Sequence, residues 1–335
     1  MTPPVAAGLA SYLGEQLGRP VAIENVSEAS AGARRRNVLF DALAGGERHE
    51  LVASITPSAA ILLMPTETET GALRLAEKAL VPVPHVHWVC SDPRYVGGPF
   101  FISTRVAGET VPRRVLRLVE RERIGARLAG QIGEAFARLH AVPVEQAPPG
   151  LARPDGATAV ERALDAMRAQ LDSLWQPAPA LALGLRWLER SASSVPPRLA
   201  IVHGDLRNGN IIVDATGLRA VLDWEATHIG DPIEDLAWIC LRTWRFGADR
   251  LEVGGFAERP PLVAAYVEAG GKYDSRAFHW WKVLGTLRWG VGLARQAIGH
   301  LDGSVPSIVM AASGRRVAEL EFDLLTLLGR QLEAE

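Results

Sequence analysis

The segment between Ile201 and Glu225 restricts the possible folds of this chain more than any other part of its sequence. A polar stretch with the pattern His-x-Asp-x-x-x-x-Asn lies between short apolar runs, and a further aspartate ends the last run. Gly204 and Gly209 lie inside this stretch, and glycine allows a chain to turn tightly. The segment therefore predicts a tight loop set among three short strands: Leu199–His203, Ile211–Val213 and Arg219–Trp224.

Three side chains of this segment suit phosphoryl transfer, a reaction that asks a protein mainly to position reactants and to neutralise phosphate charge. Asp205 can accept or orient the proton of an attacking hydroxyl group, and Asn210 and Asp223 offer the hard oxygen ligands that Mg²⁺ prefers. An Asp–Asn pair in a turn usually serves the turn itself, and a single histidine such as His203 is more often a packed loop residue. The ordered combination favours the catalytic interpretation.

Short apolar runs alternate with Gly- or Pro-containing turns through the first 105 residues and predict a small antiparallel sheet. The predicted strands are Val21–Val26, Asn37–Ala42, His49–Ile55, Val86–Cys90 and Pro99–Val106. An opening helix is expected to end near Leu17, and a second helix is expected at Thr66–Leu80.

The pattern becomes helical after Gly108. Apolar residues recur every three or four positions from Ile124 to Leu139, which predicts an amphipathic helix ending near His140. Further helices are expected at Val160–Trp175, at Ala180–Ser191 and over most of Leu236–Arg330. The expected fold class is therefore α+β, with a sheet-rich unit at residues 1–105 and a mainly helical unit at 106–335.

The bulk composition gives no reason to expect a nucleic acid or a membrane as partner. The formal net charge is −2, and no stretch of about 18 uncharged apolar residues occurs. The two cysteines, Cys90 and Cys240, belong to no metal-binding motif, so a zinc site is not expected. The first residues lack the pattern of a signal peptide, and the expected location is cytoplasmic.

These motifs resemble those of the aminoglycoside phosphotransferase family, which includes choline-kinase-like enzymes. That family typically has HGDLHxxN, then a strand ending in Asp-Trp or Asp-Phe, then Gly-Asp-Pro-x-x-Asp-Leu-Ala. This chain has HGDLRNGN at 203–210, Asp-Trp-Glu at 223–225 and GDPIEDLA at 230–237. The resemblance implies a two-lobed, protein-kinase-like fold, with a nucleotide-binding lobe at 1–105 and a catalytic, substrate-binding lobe at 106–335.

The resemblance also implies that the chain moves the γ-phosphate of ATP or GTP to a hydroxyl group of a small molecule. It implies that Asp205 is the catalytic base, assisted by Asn210, and that Asn210 and Asp223 hold Mg²⁺. Asp231 and Asp235 would brace the loop through hydrogen bonds and cap the next helix. An aspartate before a proline is also simply a common helix start.

The nucleotide is expected to lie where the two lobes meet. The backbone groups that would face its purine belong to Ser103, Thr104, Arg105 and Val106. Ser27–Ala33 would lie over the phosphates, although it lacks G-x-G-x-x-G and is equally compatible with an ordinary hairpin turn. Glu69 falls where the family has a helix glutamate, and simple solvent exposure is the other interpretation.

The sequence departs from the family at the third strand. The position expected to hold a Lys or Arg for the nucleotide phosphates is Ser54, and no lysine precedes Lys78. The arginines at 34–36 could supply that charge beside the presumed phosphate loop. A solvated hairpin edge is the slightly preferred interpretation of these arginines.

Three functions stay open at this point. A small-molecule kinase is favoured, and a nucleotide-binding protein without turnover is the main alternative because of Ser54. A helical binding protein would depend on the tryptophans of the last hundred residues, which at helical spacing are mostly core. The acceptor and the oligomeric state cannot be named, because many acceptors share this fold and loop. A cationic aminoglycoside would require a carboxylate-rich pocket.

Overall fold

The computed structural model of the chain describes residues 3–29, 35–56 and 64–332, with side chains described from Val5 to Gly329. Its first part is an antiparallel sheet with the strand order β1-β2-β3-β5-β4. The strands are β1 (Ala22–Glu28), β2 (Arg36–Ala44), β3 (Glu47–Ile55), β4 (Val86–Cys90) and β5 (Phe100–Thr104). Five strands were predicted here, and each lies within a few residues of its predicted position.

Alternation of side chains gives this sheet two faces. Phe40 of β2, Ala53 of β3 and Ile102 of β5 are fully buried on one face, where they pack beneath helix α1 (Pro3–Leu17) and its Leu9. Burying a side chain of the size of Leu or Phe contributes about 1.5–3 kcal/mol, so this face holds α1 in place.

The opposite face of the sheet carries Asn37, Ser54 and Phe101, which are cross-strand neighbours on β2, β3 and β5. Helix α2 (Thr66–Lys78) packs against β4 and β5 and presents Glu69, whose side chain is buried. This face therefore borders the helical part of the molecule, which carries the loop motif.

The second part of the chain is mainly helical. Its helices are α3 (Pro112–Glu122), α4 (Gly125–His140), α5 (Ala159–Asp172), α6 (Pro179–Ser191), α7 (Ile233–Ile239), α8 (Arg259–Glu268), α9 (Ser275–Leu301), α10 (Ile308–Ser313) and α11 (Val317–Leu332). The long α9 packs against α6, α7, α10 and α11. Trp280 of α9 is fully buried and donates to the backbone oxygen of Leu188 at 3.0 Å. The α+β class predicted from the sequence is confirmed, while the division at residues 105/106 stays a prediction.

Four short strands carry the loop motif between these helices. They are β6 (Ala200–Val202), β7 (Ile211–Asp214), β8 (Gly217–Val221) and β9 (His228–Gly230), paired as β6 with β9 and β7 with β8. Three were predicted, but β8 ends at Val221, so Asp223 follows the strand and does not lie in it. Strand β9 and helix α3 were not predicted.

The two cysteines lie in different cores. Cys90 belongs to the core between the sheet and α1, and Cys240 belongs to the larger core of the helical part. Both thiols are free, and burial raises the pKa of Cys240 to about 12. Among the described residues, none of the helices has the length and apolar character needed to cross a membrane.

Candidate active site

The loop between β6 and β7 is held by one buried carboxylate. Asp235 of α7 is completely buried, and its two oxygens accept the backbone N–H groups of His203 and Gly204, both at 2.8 Å. The imidazole Nε2 of His140 lies 3.1 Å from the same carboxylate. Burial alone would raise the pKa of Asp235. The effects of His140 and His203 outweigh burial, so the pKa lies below its usual value. The predicted bracing role of Asp235 agrees with these contacts.

His203 connects the loop to the segment that carries Asp223. Its Nε2–H donates to the backbone oxygen of Leu222 at 2.9 Å, and its Nδ1 accepts the N–H of Asp205 at 3.2 Å. The ring is fully buried and contacts the indole of Trp224 edge-on. Both ring nitrogens are engaged by backbone groups, so the imidazole positions its neighbours and is not available to a ligand.

The carboxylate of Asp205 is partly exposed and is oriented by three donors. The side-chain amide of Asn210 donates at 2.7 Å, the indole N–H of Trp238 at 2.8 Å and the Nε–H of Arg207 at 3.2 Å. Arg207 and Trp238 were missed from the sequence. Arg207 stood inside the loop motif and was available as a signal, whereas nothing marked Trp238 among the other tryptophans. Arg207 also lies over the ring of Trp244, at 4.9 Å.

Asp223 lies in a left-handed turn directly after β8, with φ 67° and ψ 61°. Its carboxyl group is largely buried, and this burial raises its pKa, with further increases from the charges of Glu225 and Asp205. A cation near these carboxylates would offset their mutual repulsion.

The donor set at this point fits Mg²⁺. Asn210 uses its amide nitrogen on Asp205, so its amide oxygen is the atom that a cation could bind. No group of three or more His, Cys, Asp and Glu side chains suited to a metal occurs among residues 3–29, 35–56 and 64–332. Two protein ligands nevertheless suffice for Mg²⁺, which commonly completes its shell with water and substrate phosphates.

Arg35 and Glu69 form a buried ion pair on the face of the sheet that carries Asn37, Ser54 and Phe101, here called the cleft face. Both terminal nitrogens of Arg35 hydrogen-bond the Glu69 carboxylate, and the two side chains are only 11% and 2% exposed. The Nε of Arg35 lies 4.0 Å from the Glu225 carboxylate. The preferred interpretation of this arginine as a solvated hairpin edge is therefore wrong. Glu69 is likewise buried and not solvent-exposed.

The neighbouring arginines differ from Arg35. Arg36 pairs with Glu28 at the surface, as the hairpin-edge interpretation predicted for it. Arg34 lies outside the described residues, as does most of the presumed phosphate loop Ser27–Ala33, of which residues 27–29 are described. Ser54 donates its hydroxyl hydrogen to the side-chain oxygen of Asn37 at 2.9 Å, so its side chain stays within the sheet.

The segment expected to face a purine is the end of β5. The N–H of Thr104 donates to the backbone oxygen of His85 and that of Arg105 to the backbone oxygen of Glu50, both at 2.9 Å. These two N–H groups are used inside the lobe, so they are not available to a base. The Arg105 side chain pairs with Asp41 and Glu50.

Asp231 caps helix α7 through its side chain. Its carboxylate accepts the N–H of Ile233 at 2.9 Å, and its backbone oxygen accepts the N–H of Glu234 at 3.0 Å. The helix begins at Ile233, one residue after the start at Pro232 that the Asp-Pro pair predicted. Burial raises the pKa of Asp231 to about 6, against a smaller opposing effect of the Ile233 N–H.

A cavity of about 500 Å³ lies beside this loop, between α5, α9 and the residues around β9. Its wall is mostly apolar, and its charged members are Arg162, Glu225, Glu234 and Arg288, together with His228. Arg288 connects the cavity to the loop, since it donates to the backbone oxygen of Gly204 at 3.0 Å and to Glu234 at 3.2 Å.

Known proteins share parts of this sequence and its fold. Residues 25–281 match the sequence profile of the phosphotransferase enzyme family. Acyl-CoA dehydrogenase family member 11 of Gallus gallus is 32% identical over 167 residues, which are 47% of this chain but 20% of that protein. The chain matches only 16–26% of the length of the relatives of this kind.

Solved structures show the same fold. A putative aminoglycoside phosphotransferase from Ralstonia eutropha has 20% identity and a TM-score of 0.69, with 96% of this chain and 98% of that chain covered. A thermostable mutant aminoglycoside phosphotransferase, in ternary complex with ADP and hygromycin B, has 18% identity and a TM-score of 0.63, covering 94% and 98%. The kinase-like, two-part fold expected from the sequence is therefore confirmed.

Proposed function

The chain belongs to the phosphotransferase enzyme family, and from that premise we propose that it transfers the γ-phosphoryl group of ATP or GTP to a hydroxyl group of a small molecule. The observation that carries the proposal is that Asp205 and Asn210 lie on a loop whose backbone is fixed by the buried Asp235, with Asp223 close enough to Asp205 for their charges to interact. Nucleotide binding alone does not require a carboxylate oriented by three hydrogen-bond donors, as that of Asp205 is.

Asp205 acts as the base in the proposed reaction. The oxygen of the acceptor hydroxyl group forms a bond to the γ-phosphorus while the bond from that phosphorus to the β–γ bridging oxygen breaks, releasing the nucleoside diphosphate. The hydroxyl proton passes to the Asp205 carboxylate. The hydrogen bonds from Asn210 and Trp238 hold this carboxylate in one orientation, which favours proton transfer through positioning.

Asn210 and Asp223 would hold Mg²⁺, which neutralises charge on the phosphates when it is bound. The raised pKa of Asp223, caused by burial and by the nearby carboxylates of Glu225 and Asp205, supports a cation at this position. A structural neighbour solved with ADP supports an adenine nucleotide. GTP stays an alternative, and the carbonyl groups of Ser103–Val106 and the Val106 N–H are the backbone groups proposed to meet the base.

A protein that binds nucleotide without turnover is the second candidate, favoured by Ser54 at the position of the expected cation. Its hydroxyl group is engaged by Asn37 and carries no charge for a phosphate. The two candidates differ in one respect, because only the first needs Asp205 as a base.

The cavity beside the loop is proposed to receive the acceptor, because Arg288 is shared between its wall and the carbonyl group preceding Asp205. Glu234 is already paired with Arg288 and His228, and Glu225 lies beside Arg35. Arg162 adds a further positive charge. Such a wall suits a neutral or anionic hydroxyl compound with an apolar body better than a polycationic aminoglycoside.

The test is release of nucleoside diphosphate from ATP and from GTP, measured with Mg²⁺ over a panel of alcohols, sugars, hydroxy acids and aminoglycosides. We expect turnover with a neutral or anionic acceptor, and Asp205→Asn should lower it by roughly 10²–10⁴ while nucleotide affinity changes little. Asp155→Asn, at an exposed loop position, is the matched control and should have no effect.

Near wild-type turnover of Asp205→Asn on its true acceptor would remove Asp205 from the mechanism. Nucleotide binding without turnover on the whole panel would favour the second candidate. Turnover with aminoglycosides alone would contradict the proposed acceptor class but leave the reaction type standing.

A further inference from the structure

Arg35 places a guanidinium group on the cleft face of the sheet, although its place in the sequence does not indicate this. Arg35 stands immediately before β2, two residues before Asn37, so both side chains point to the same face. Asn37 is the cross-strand partner of Ser54, and Ser54 is in turn the partner of Phe101. The guanidinium of Arg35 lies over the Phe101 ring, 5.9 Å from its centre. It therefore lies next to the cross-strand neighbour of Ser54, on the same face of the sheet.

The guanidinium of Arg35 is buried and fixed, unlike that of a surface ion pair, and some of its N–H groups are available to a ligand. Glu69 takes one N–H from each terminal nitrogen of Arg35, and Glu225 stands 4.0 Å from the Nε, beyond hydrogen-bonding distance. An arginine has five N–H donors. Three of them make no hydrogen bond to a described residue, although the side chain is only 11% exposed.

The charges around Arg35 connect these donors to the proposed metal site. Burial lowers the pKa of Arg35, but Glu69 raises it more, and the charges of Glu225 and Asp223 raise it further, so the net shift is upward. Arg35 thus feels the charge of Asp223, the residue assigned to Mg²⁺. A guanidinium at that place meets phosphate oxygens well, because its planar fork can bind two of them at once.

We propose that Arg35 is the phosphate-binding cation of this site, supplied from the start of β2 in place of the strand β3 position held by Ser54. Glu69 fixes the guanidinium, and its remaining N–H groups bind the nucleotide phosphates. The inference rests on the proposed nucleotide-dependent function of the cleft. It removes the main reason for regarding the chain as inactive, because the cation has moved to another strand and has not been lost.

The experiment is calorimetric titration with ATP and Mg²⁺, and with adenosine, followed by the same pair for GTP and guanosine. Arg35→Ala should weaken nucleotide triphosphate binding by roughly 10–100-fold, since hydrogen bonds to charged groups are worth about 1.5–3 kcal/mol. Nucleoside binding should be unchanged. Arg36→Ala is the matched control, because Arg36 pairs with Glu28 at the surface, and it should bind as the wild type does.

A rescue variant protects the test against simple misfolding. Ser54→Lys added to Arg35→Ala returns a cation to the same face of the sheet and should recover most of the lost triphosphate affinity. Arg35→Lys should lie between the wild type and Arg35→Ala, because an ammonium group keeps the charge but not the planar fork. Melting temperatures of all variants are measured in parallel.

The outcomes separate this inference from the proposed function. Equal loss of triphosphate and nucleoside binding in Arg35→Ala would make Arg35 a purely structural residue and overturn the inference. Triphosphate binding that survives Arg35→Ala unchanged would overturn it as well, while leaving phosphoryl transfer intact. A wild-type protein that binds neither ATP nor GTP would refute the proposed function, and the inference with it.

Discussion

Asp231 and Asp235 are four residues apart and both buried, yet their pKa values are shifted in opposite directions. Asp235 accepts hydrogen bonds from two backbone N–H groups and lies against His140, and its pKa is lowered. Its contribution to stability is present above the unfolded pKa and is lost as the pH falls. In Asp231 burial outweighs the opposing effects of the Ile233 N–H, the Trp281 side chain and the charge of Arg198, and the pKa is raised to about 6.

Asp231→Asn tests the consequence of that raised pKa. The carboxyl group binds its proton more tightly in the folded chain than in the unfolded one, so it lowers stability as the pH rises from about 4 to about 6. Asparagine keeps an oxygen for the Ile233 N–H but carries no charge. We expect the stability gained by the variant to grow by about 2–3 kcal/mol between pH 4 and pH 7, measured by urea unfolding. A gain that is the same at both pH values, or no larger than that of Asp155→Asn, would contradict this.

At the scale of elements, the catalytic loop depends on one close approach of two backbones. Gly204 has φ +78°, and a Cβ added there would lie 2.5 Å from the backbone oxygen of Ala226. The Ala226 segment carries the turn after Asp223, so this contact brings the base and the metal ligand to one place. Only a residue without a side chain allows the approach.

Gly204→Ala should therefore lower both stability and turnover. A strained left-handed residue with a backbone clash costs on the order of 1–3 kcal/mol, and the loop would have to move to relieve it. Gly46→Ala is the matched control, because Gly46 also has a positive φ of +86° but has nothing within 4 Å of the added Cβ. We expect thermal unfolding and turnover to be affected much more in the first variant. Equal effects in the two variants would mean that the close approach is unimportant.

Strands were predictable from the sequence where their period was clear, as in β2 and β3 with their alternating buried residues. Helix α3 was not, because only Val115 and Val119 of it are buried and the rest of its face is charged or partly exposed. Asp223 was assigned to a strand because an apolar run carries no mark of the left-handed turn that follows it. The position of Arg35 could not be known either, since the face of a residue depends on strand register, which is fixed by pairing across the sheet.

At the scale of the whole molecule, the site lies between a sheet with its own core and a helical part with another. Arg35 and Glu69 come from the first part, and Asp205, Asn210 and Asp223 from the second. A bound metal–nucleotide complex would contact both, and ligand that binds only the folded state raises its stability by mass action.

Nucleotide with Mg²⁺ should accordingly raise the melting temperature, by an amount that corresponds to about 2.7 kcal/mol at a hundredfold excess over Kd. A chelator should remove most of this increase, and Asp223→Ala should remove it even with Mg²⁺ present. Without ligand, Asp223→Asn should be no less stable than the wild type, because burial already disfavours the charged carboxylate and asparagine tolerates the left-handed backbone. The same nucleotide-induced shift with and without chelator would argue against a metal at Asn210 and Asp223.

The two thiols lie in different cores, so the rate at which each one is labelled can measure how often its core opens. Neither Cys90 nor Cys240 is more than 9% exposed, and each lies in a different core. A thiolate, the reactive form, must first reach solvent, so modification of each sulfur waits for its own core to open. Labelling rates at the two positions thus report the opening free energies of the two cores. The ratio of these rates, followed as nucleotide is added, shows whether the ligand protects both cores together or only one of them.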